Sequence, residues 1–326
     1  MKIYNIFFIQ IIIFILTKQS IIRSEPITFV PQWIPQSQFA GFYVAAEKGF
    51  YRENQLDVII LKGGPDNSPS EAIQSGKAQF TTLWLSEAIK HIDNGQKIVN
   101  IAQLFQHSSQ MIIAKRSSGI NTIEDLNHQS IQVYNSEFYY LPKAFFDKYN
   151  LTVNLIPQVR SMNLFLWNGV KAALVMNFNE YHRIINSGYD EDELVTFPFS
   201  EHGLNFPEDG IYCTESYYHN HKEICSLFVD ASLRGWKYAV KNPEEALAIM
   251  MPFVDSAYTG SNYVHEKWML STVSSLLFTD DGKNIGILKE EDYNKLIVLL
   301  KELKLISYNV SYDSFYKGKE IIRVQE

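Results

Sequence analysis

The chain has 326 residues, 46% of them hydrophobic and 14% aromatic. That is enough for a sizeable core, over about two domains of roughly 150 residues each, and it excludes a largely disordered chain. A formal net charge of −7 gives a nucleic-acid partner no electrostatic footing.

The first segment stands apart. Lys2 supplies a positive start, and Ile3 to Leu16 is nearly all Ile, Phe and Leu. An apolar run of about 14 residues is short for a membrane span and suits a secretory signal. Cleavage after Ser24 is expected, leaving a mature charge of 26 − 36 = −10; an uncleaved anchor is the alternative. No Cys follows the run, so a lipid anchor has no support.

Ile27–Val30 reads as a strand. A Pro-bearing loop with Trp33, Gln36, Gln38 and Phe39 leads into a helix that Gly49 stops. Leu56–Leu61 is the next strand, ended by Gly63-Gly64-Pro65. This is a βαβ opening, and in open α/β sheets ligands bind at the carboxyl ends of strands, where such loops sit. Ser68 is the expected N-cap of a helix with Pro69 at its first position. Strands follow at Ala78–Leu83, Ile98–Phe105 and Met111–Ala114, with a helix at Ser86–Asn94 between the first two.

A second unit begins after Gly119. Thr122–Leu126 is a helical turn, and Ser130–Tyr134 is a strand running into the loop Asn135–Tyr140. A helix at Pro142–Tyr149, a strand at Thr152–Ile156, a short helix from Met162 and a strand at Ala172–Met176 continue the alternation. A helix to Gly188 and the strand Leu194–Phe199 close this unit, and the chain crosses to Gly210–Cys213. From Lys222 the pattern is helical: Ile224–Val240, Pro243–Met251, His265–Leu277 and Glu290–Leu303. Residues 309–326 read as a loose tail.

Alternating strands and helices predict an α/β protein. The middle block starts and ends in strands, which predicts a lobe of residues 113–210 inserted into a first lobe of 25–112 plus 211–308. Two chain crossings then form a hinge, and the cleft between lobes is a preferred place for a small ligand.

The residue pattern is also familiar. Trp33, Pro35, Phe39, Ala40, Gly41, Tyr43, Ala45, Lys48, Gly49 and Tyr51 spell an opening that resembles periplasmic solute-binding proteins for thiamine-pyrimidine precursors and alkanesulfonates. Ser75–Phe80, Gly119–Leu126, Asn177–His182 and Gly203–Ile211 resemble further motifs of that family in the same order, covering residues 27 to about 280. The resemblance implies a two-lobed type 2 binding-protein fold, a small heteroaromatic ligand such as a thiamine pyrimidine precursor, an ABC permease as partner, a periplasmic or extracellular location, and a monomer. A related branch, the yeast-type pyrimidine synthases, uses a Lys, a His and a Cys-rich run. This chain has Leu83 and Glu87 at the Lys and His positions and offers one thiol in Ile211–Thr214, so synthase chemistry is not expected. A ligand-sensing role toward a signalling partner is the other alternative.

The candidate ligand-binding residues are Trp33, Gln38, Phe39, Gly64, Trp84, Tyr134, Asn135, Asn177 and Glu180. Trp33, with Phe39 and Trp84, could form an aromatic slot or belong to the core. Asn135 is a ligand amide or a turn residue. A Glu180 carboxylate could accept from an exocyclic amine, or serve as a helix-start acid. Gly64 could let backbone approach the ligand, or only turn the chain. No hydrolase, phosphate-loop or zinc-type motif is present, so no catalytic residue, metal or cofactor is expected. Cys213 and Cys225 could pair or remain separate thiols, and His219 and His221 read as a solvated turn rather than metal ligands.

Overall fold

A computed structural model describes residues 26–64, 67–134, 139–158, 161–278, 285–307 and 310–322. The expected signal segment, Pro65 and Asn135 lie outside the described residues. The strand β1 (Ile27–Val30) is followed by α1 (Ala40–Glu47), α2 (Phe50–Glu53), β2 (Val58–Ile60), α3 (Pro69–Gln74), β3 (Phe80–Trp84), α4 (Leu85–Asp93) and β4 (Ile98–Gln103). Next come β5 (Gln110–Lys115), β6 (Ser130–Tyr134), α5 (Tyr140–Lys148), β7 (Asn154–Gln158), α6 (Asn163–Leu166), β8 (Ala172–Met176), α7 (Glu180–Asn186) and β9 (Leu194–Pro198). The chain then returns through β10 (Asp209–Thr214) to α8 (Glu215–Asn220), α9 (Lys222–Lys241), α10 (Pro243–Ser256), α11 (Tyr263–Leu276), α12 (Glu290–Glu302), α13 (Tyr312–Phe315) and α14 (Gly318–Ile321).

Two five-stranded sheets result, ordered β2-β1-β3-β10-β4 and β7-β6-β8-β5-β9. In the first, β1 runs parallel to β2 and β3, and β10 is antiparallel to β3 and β4. In the second, β6 runs parallel to β7 and β8, and β5 is antiparallel to β8 and β9. This is a two-lobed α/β fold. All of β5, Met111 and Ile112 included, pairs in the second sheet, so a boundary at 112/113 would cut a strand. The crossings lie at 104–109 and 199–208.

Local chemistry explains the elements. Ser68 accepts a hydrogen bond from the Glu71 N–H and Pro69 opens α3, a cap with proline where no backbone donor is needed. Gly41 and Gly235 let α1 and α9 touch: a Cβ on Gly41 would sit 2.3 Å from the Trp236 ring, and one on Gly235 would sit 2.1 Å from the Gly41 carbonyl. The Phe-Ala-Gly motif is therefore a packing motif. Phe228 on α9 stacks on Phe80 at 4.1 Å and on Tyr51 at 5.3 Å between centroids, filling the face of the first sheet. A second apolar cluster runs through both lobes, from Val30 and Leu83 to Ile112, Phe145 and Leu174.

Two expectations differ. Residues after 308 are not all a loose tail: Phe315 is buried against Tyr212 and Tyr293, and Tyr316, also buried, bridges to Asn100 at β4. Aromatic burial anchors a segment whose sequence has no long period. Residues 215–220 form α8 rather than a solvated loop, because Thr214 caps it by accepting from the Tyr217 N–H. Cys213 and Cys225 are buried free thiols. Among the described residues no cluster of three or more His, Cys, Asp or Glu could hold a metal ion, and no helix is long and apolar enough to cross a membrane.

Candidate functional site

The carboxyl ends of β1 and β3 in one sheet, and of β6 and β8 in the other, carry most of the residues singled out above. The crossings that join the sheets are fastened to each other by Glu208, which is fully buried. Its carboxyl accepts from Ser108 Oγ at 2.9 Å, from the Ser109 N–H at 2.8 Å and from Ser109 Oγ at 2.6 Å. Burial pushes this acid up to about 8, against the pull of the serine donors. Sequence reading missed it, because Pro-Glu-Asp-Gly reads as a turn.

On the first-sheet side, the neighbouring Asp209 stands opposite Trp84 in the ladder. Gln32 Nε2 donates to one Asp209 oxygen at 2.7 Å and Gln38 Nε2 to the other at 2.8 Å, while Gln36 donates to Gln38 Oε1 at 2.5 Å. Gln38 is thus buried in an amide–carboxylate chain that ties the loop after β1 to β10. Burial raises the Asp209 carboxyl to about 7, with the two amides opposing. Trp33 is half-buried against the first core cluster, whereas Phe39 and Trp84 are 1% and 4% exposed within it. Of the three aromatics proposed for a slot, Phe39 and Trp84 are thus buried within the core cluster and Trp33 alone is part-exposed. Gly64 has φ +107°, and a Cβ there would meet Ile34 Cγ2 at 2.9 Å. The two loops abut there.

On the second-sheet side, Tyr134 ends β6 and donates its hydroxyl to Glu180 Oε1 at 2.7 Å. Asn179 Nδ2 donates to the same oxygen at 3.0 Å, and the Met176 N–H donates to Oε2 at 3.0 Å. A carboxylate offers about four acceptor positions, so Glu180 is largely engaged by the protein itself rather than open to an amine. Burial, then the Glu180 charge, pushes the Tyr134 hydroxyl well up, keeping it a donor. Asn177 is different. Its side-chain oxygen is buried and has no partner among the described residues.

The two sides also meet directly. Trp268 Nε1 on α11 donates to the Asn177 carbonyl at 3.0 Å, and the Trp268 ring stacks on His182 at 4.7 Å and 13°. His182 Nδ1 and His265 Nδ1 are 2.9 Å apart, and His265 Nε2 lies 3.1 Å from Asn179 Oδ1. The amide oxygen calls for a proton on His265 Nε2, while His182 Nδ1 also lies 3.3 Å from Asn186 Nδ2. Burial lowers both imidazoles, His265 to about 3. His182, which reads as a plain helix-face residue, is thus part of an interlobe contact with a residue 83 positions away.

Residues 36–246 match the family model described as NMT1/THI5 like. The chain belongs to the NMT1/THI5-like family. The riboflavin-binding protein RibY of Chloroflexus aurantiacus is 25% identical over 72% of this chain and 68% of its own length. A formylaminopyrimidine-binding protein of Halalkalibacterium halodurans is 22% identical over 72% of each. By contrast, a pyrimidine phosphate synthase of Legionella pneumophila aligns over only 31% of this chain. Among solved structures, the alkanesulfonate-binding protein SsuA from Xanthomonas axonopodis pv. citri, bound to MOPS, superposes with a TM-score of 0.68 at 10% identity, covering 90% of this chain and 98% of that one. This NMT1/THI5-like chain has the two-lobed periplasmic binding-protein fold.

Proposed function

We propose that this protein captures a small heteroaromatic molecule between its two lobes and hands it to an ABC permease. The observation that carries the reading is the pairing of a half-buried Trp33 at one strand edge with a polar rim at the other, Tyr134 and Asn177, across two crossings fastened by Glu208. Such an arrangement supplies a stacking face, hydrogen-bonding groups and a hinge, and it contains no activated nucleophile. The relatives that align over most of the chain are binding proteins for a flavin and an aminopyrimidine, two flat ring systems, which supports the ligand class. A thiamine pyrimidine precursor is the ligand of choice within it.

The rest of the proposal follows from the chain. The apolar N-terminal run supports export, and the net charge of −7 leaves nucleic acid out. The protein acts as a monomer. Calorimetric titration of the mature chain against an aminopyrimidine, thiamine, riboflavin and an alkanesulfonate tests the ligand class: saturable binding of a flat heteroaromatic is expected, and binding of the sulfonate alone would overturn it. Mass spectrometry of protein from the native host should show an N-terminus near residue 25; an intact Met1 in a cytoplasmic fraction would sink the export reading.

A further inference from the structure

Gln110 is the first residue of β5 and lies directly opposite Met176, the last residue of β8. It therefore stands where the first crossing enters the second sheet, one residue beyond the Ser109 hydroxyl that binds Glu208. The register continues the row. Tyr134 ends β6 and faces Gln158 at the end of β7, so Gln158, Tyr134, Met176 and Gln110 mark one edge of this sheet. That edge meets the first lobe, since Asn177 takes the Trp268 hydrogen bond and Phe178 packs edge-on against Phe105.

The Gln110 side chain is 1% exposed, yet neither its Nε2 nor its Oε1 has a hydrogen-bond partner among the described residues. Its neighbours in the row each lack something smaller: Gln158 and Asn177 have one unpartnered oxygen apiece. A buried amide without partners is costly, because it gave up water and received nothing. A binding protein can sustain that cost where a ligand later supplies the missing groups.

We infer that Gln110 determines ligand specificity by reading an adjacent donor and acceptor on the edge of a flat heteroaromatic ring. A primary amide offers a donor and an acceptor side by side, which matches the ring-nitrogen and amino edge of an aminopyrimidine, the same geometry by which Gln or Asn reads adenine. It equally matches the N–H and C=O edge of a flavin. A sulfonate presents acceptors only and would leave Oε1 unpaired. This inference rests on the small-molecule reading above and names the residue that enforces it.

The test uses the mature full-length chain with three probes: 4-amino-5-hydroxymethyl-2-methylpyrimidine, riboflavin and MOPS. Gln110→Met keeps the length of the side chain and removes both polar atoms. Affinity for whichever heteroaromatic the wild type binds should fall about 10- to 100-fold. The melting temperature of the ligand-free protein should hold or rise, since two unpartnered groups leave the interior. Unchanged affinity, or a lower ligand-free melting temperature with affinity kept, would overturn the inference while leaving the proposed function standing. A wild type that binds MOPS alone, or none of the three, would overturn both. Gln110→Glu serves as the second variant: a carboxylic acid presents the donor–acceptor pair only when protonated. Its affinity relative to wild type should therefore recover as pH falls from 8 to 5, and a flat ratio would count against the inference.

Discussion

The two edges of the candidate site differ in how their buried polar side chains are held. The first-lobe edge holds its acid from both sides, Asp209 by Gln32 and Gln38, and buries Phe39 and Trp84 in the core, while Gln32 Oε1 and Ser37 Oγ are buried without a partner among the described residues. The second-lobe edge has buried amide atoms to spare at Gln110, Gln158 and Asn177. A clamped carboxyl beside packed aromatics suits a platform on which a ring can be laid. An edge with unmet hydrogen-bonding capacity suits the reading of that ring's polar groups. The difference teaches that residues clustered in one motif can be split by packing, Phe39 into the core and Trp33 to a part-exposed position.

The contrast can be broken most sharply at Phe39. As a buried residue on the platform side, Phe39→Ala should cost about 3–5 kcal/mol of stability, while the folded fraction keeps its affinity. Chemical denaturation and titration of the same variant check this, and a loss of affinity without loss of stability would return Phe39 to the ligand. Trp33→Ala should do the reverse. With its half-buried ring stacked on the ligand as proposed, affinity should fall by roughly 2–4 kcal/mol, about 30- to 1000-fold, with the melting temperature nearly kept. A collapse in melting temperature with affinity retained would make both aromatics core.

The joint between the edges is tested through pH. Glu208 has a carboxyl raised to about 8 in the fold, above its ordinary value of 4.5. A raised acid contributes stability that is fully present below the unfolded value and lost as pH rises through the folded one. Glu208→Gln removes that slope. The stability of the variant relative to wild type should therefore climb between about pH 4.5 and 8, by up to roughly 5 kcal/mol; a relative curve that is flat or falls would reject the raised value. The smallest effect is expected at Tyr134. Tyr134→Phe removes one of the donors to Glu180 and should cost about 0.5–1.5 kcal/mol in binding, or a few-fold to about tenfold in affinity, as read by titration.

Much of the scaffold was legible in the residues. Ser130–Tyr134 and Ala172–Met176 were readable to the residue because short apolar runs between breakers leave little choice of strand ends. Ser68-Pro69 announced its helix through cap chemistry. The site was less legible, for physical reasons. Phe39 and Trp84 carry the same side chains whether they face a cleft or a core, and only packing decides. Glu180 looked open because its partners Tyr134 and Asn179 are brought to it by the fold of β6 against β8. Gln110 hides in the polar break Gln106-His-Ser-Ser-Gln110, where nothing local distinguishes it from a loop residue. Asp209 sits in a turn-like tetrapeptide, and its two glutamine partners are more than 170 residues away. The His182–His265 contact likewise arises only when α7 and α11 meet.

The central claim, a ring held between a stacking platform and a hydrogen-bonding rim, is tested most directly by a crystal structure of the wild type with its tightest-binding heteroaromatic. The account predicts the ring against Trp33, with its polar edge within hydrogen-bonding distance of Gln110 or Asn177. A ligand bound elsewhere on the molecule, or lying between the lobes with neither Trp33 nor that rim in contact, would contradict it.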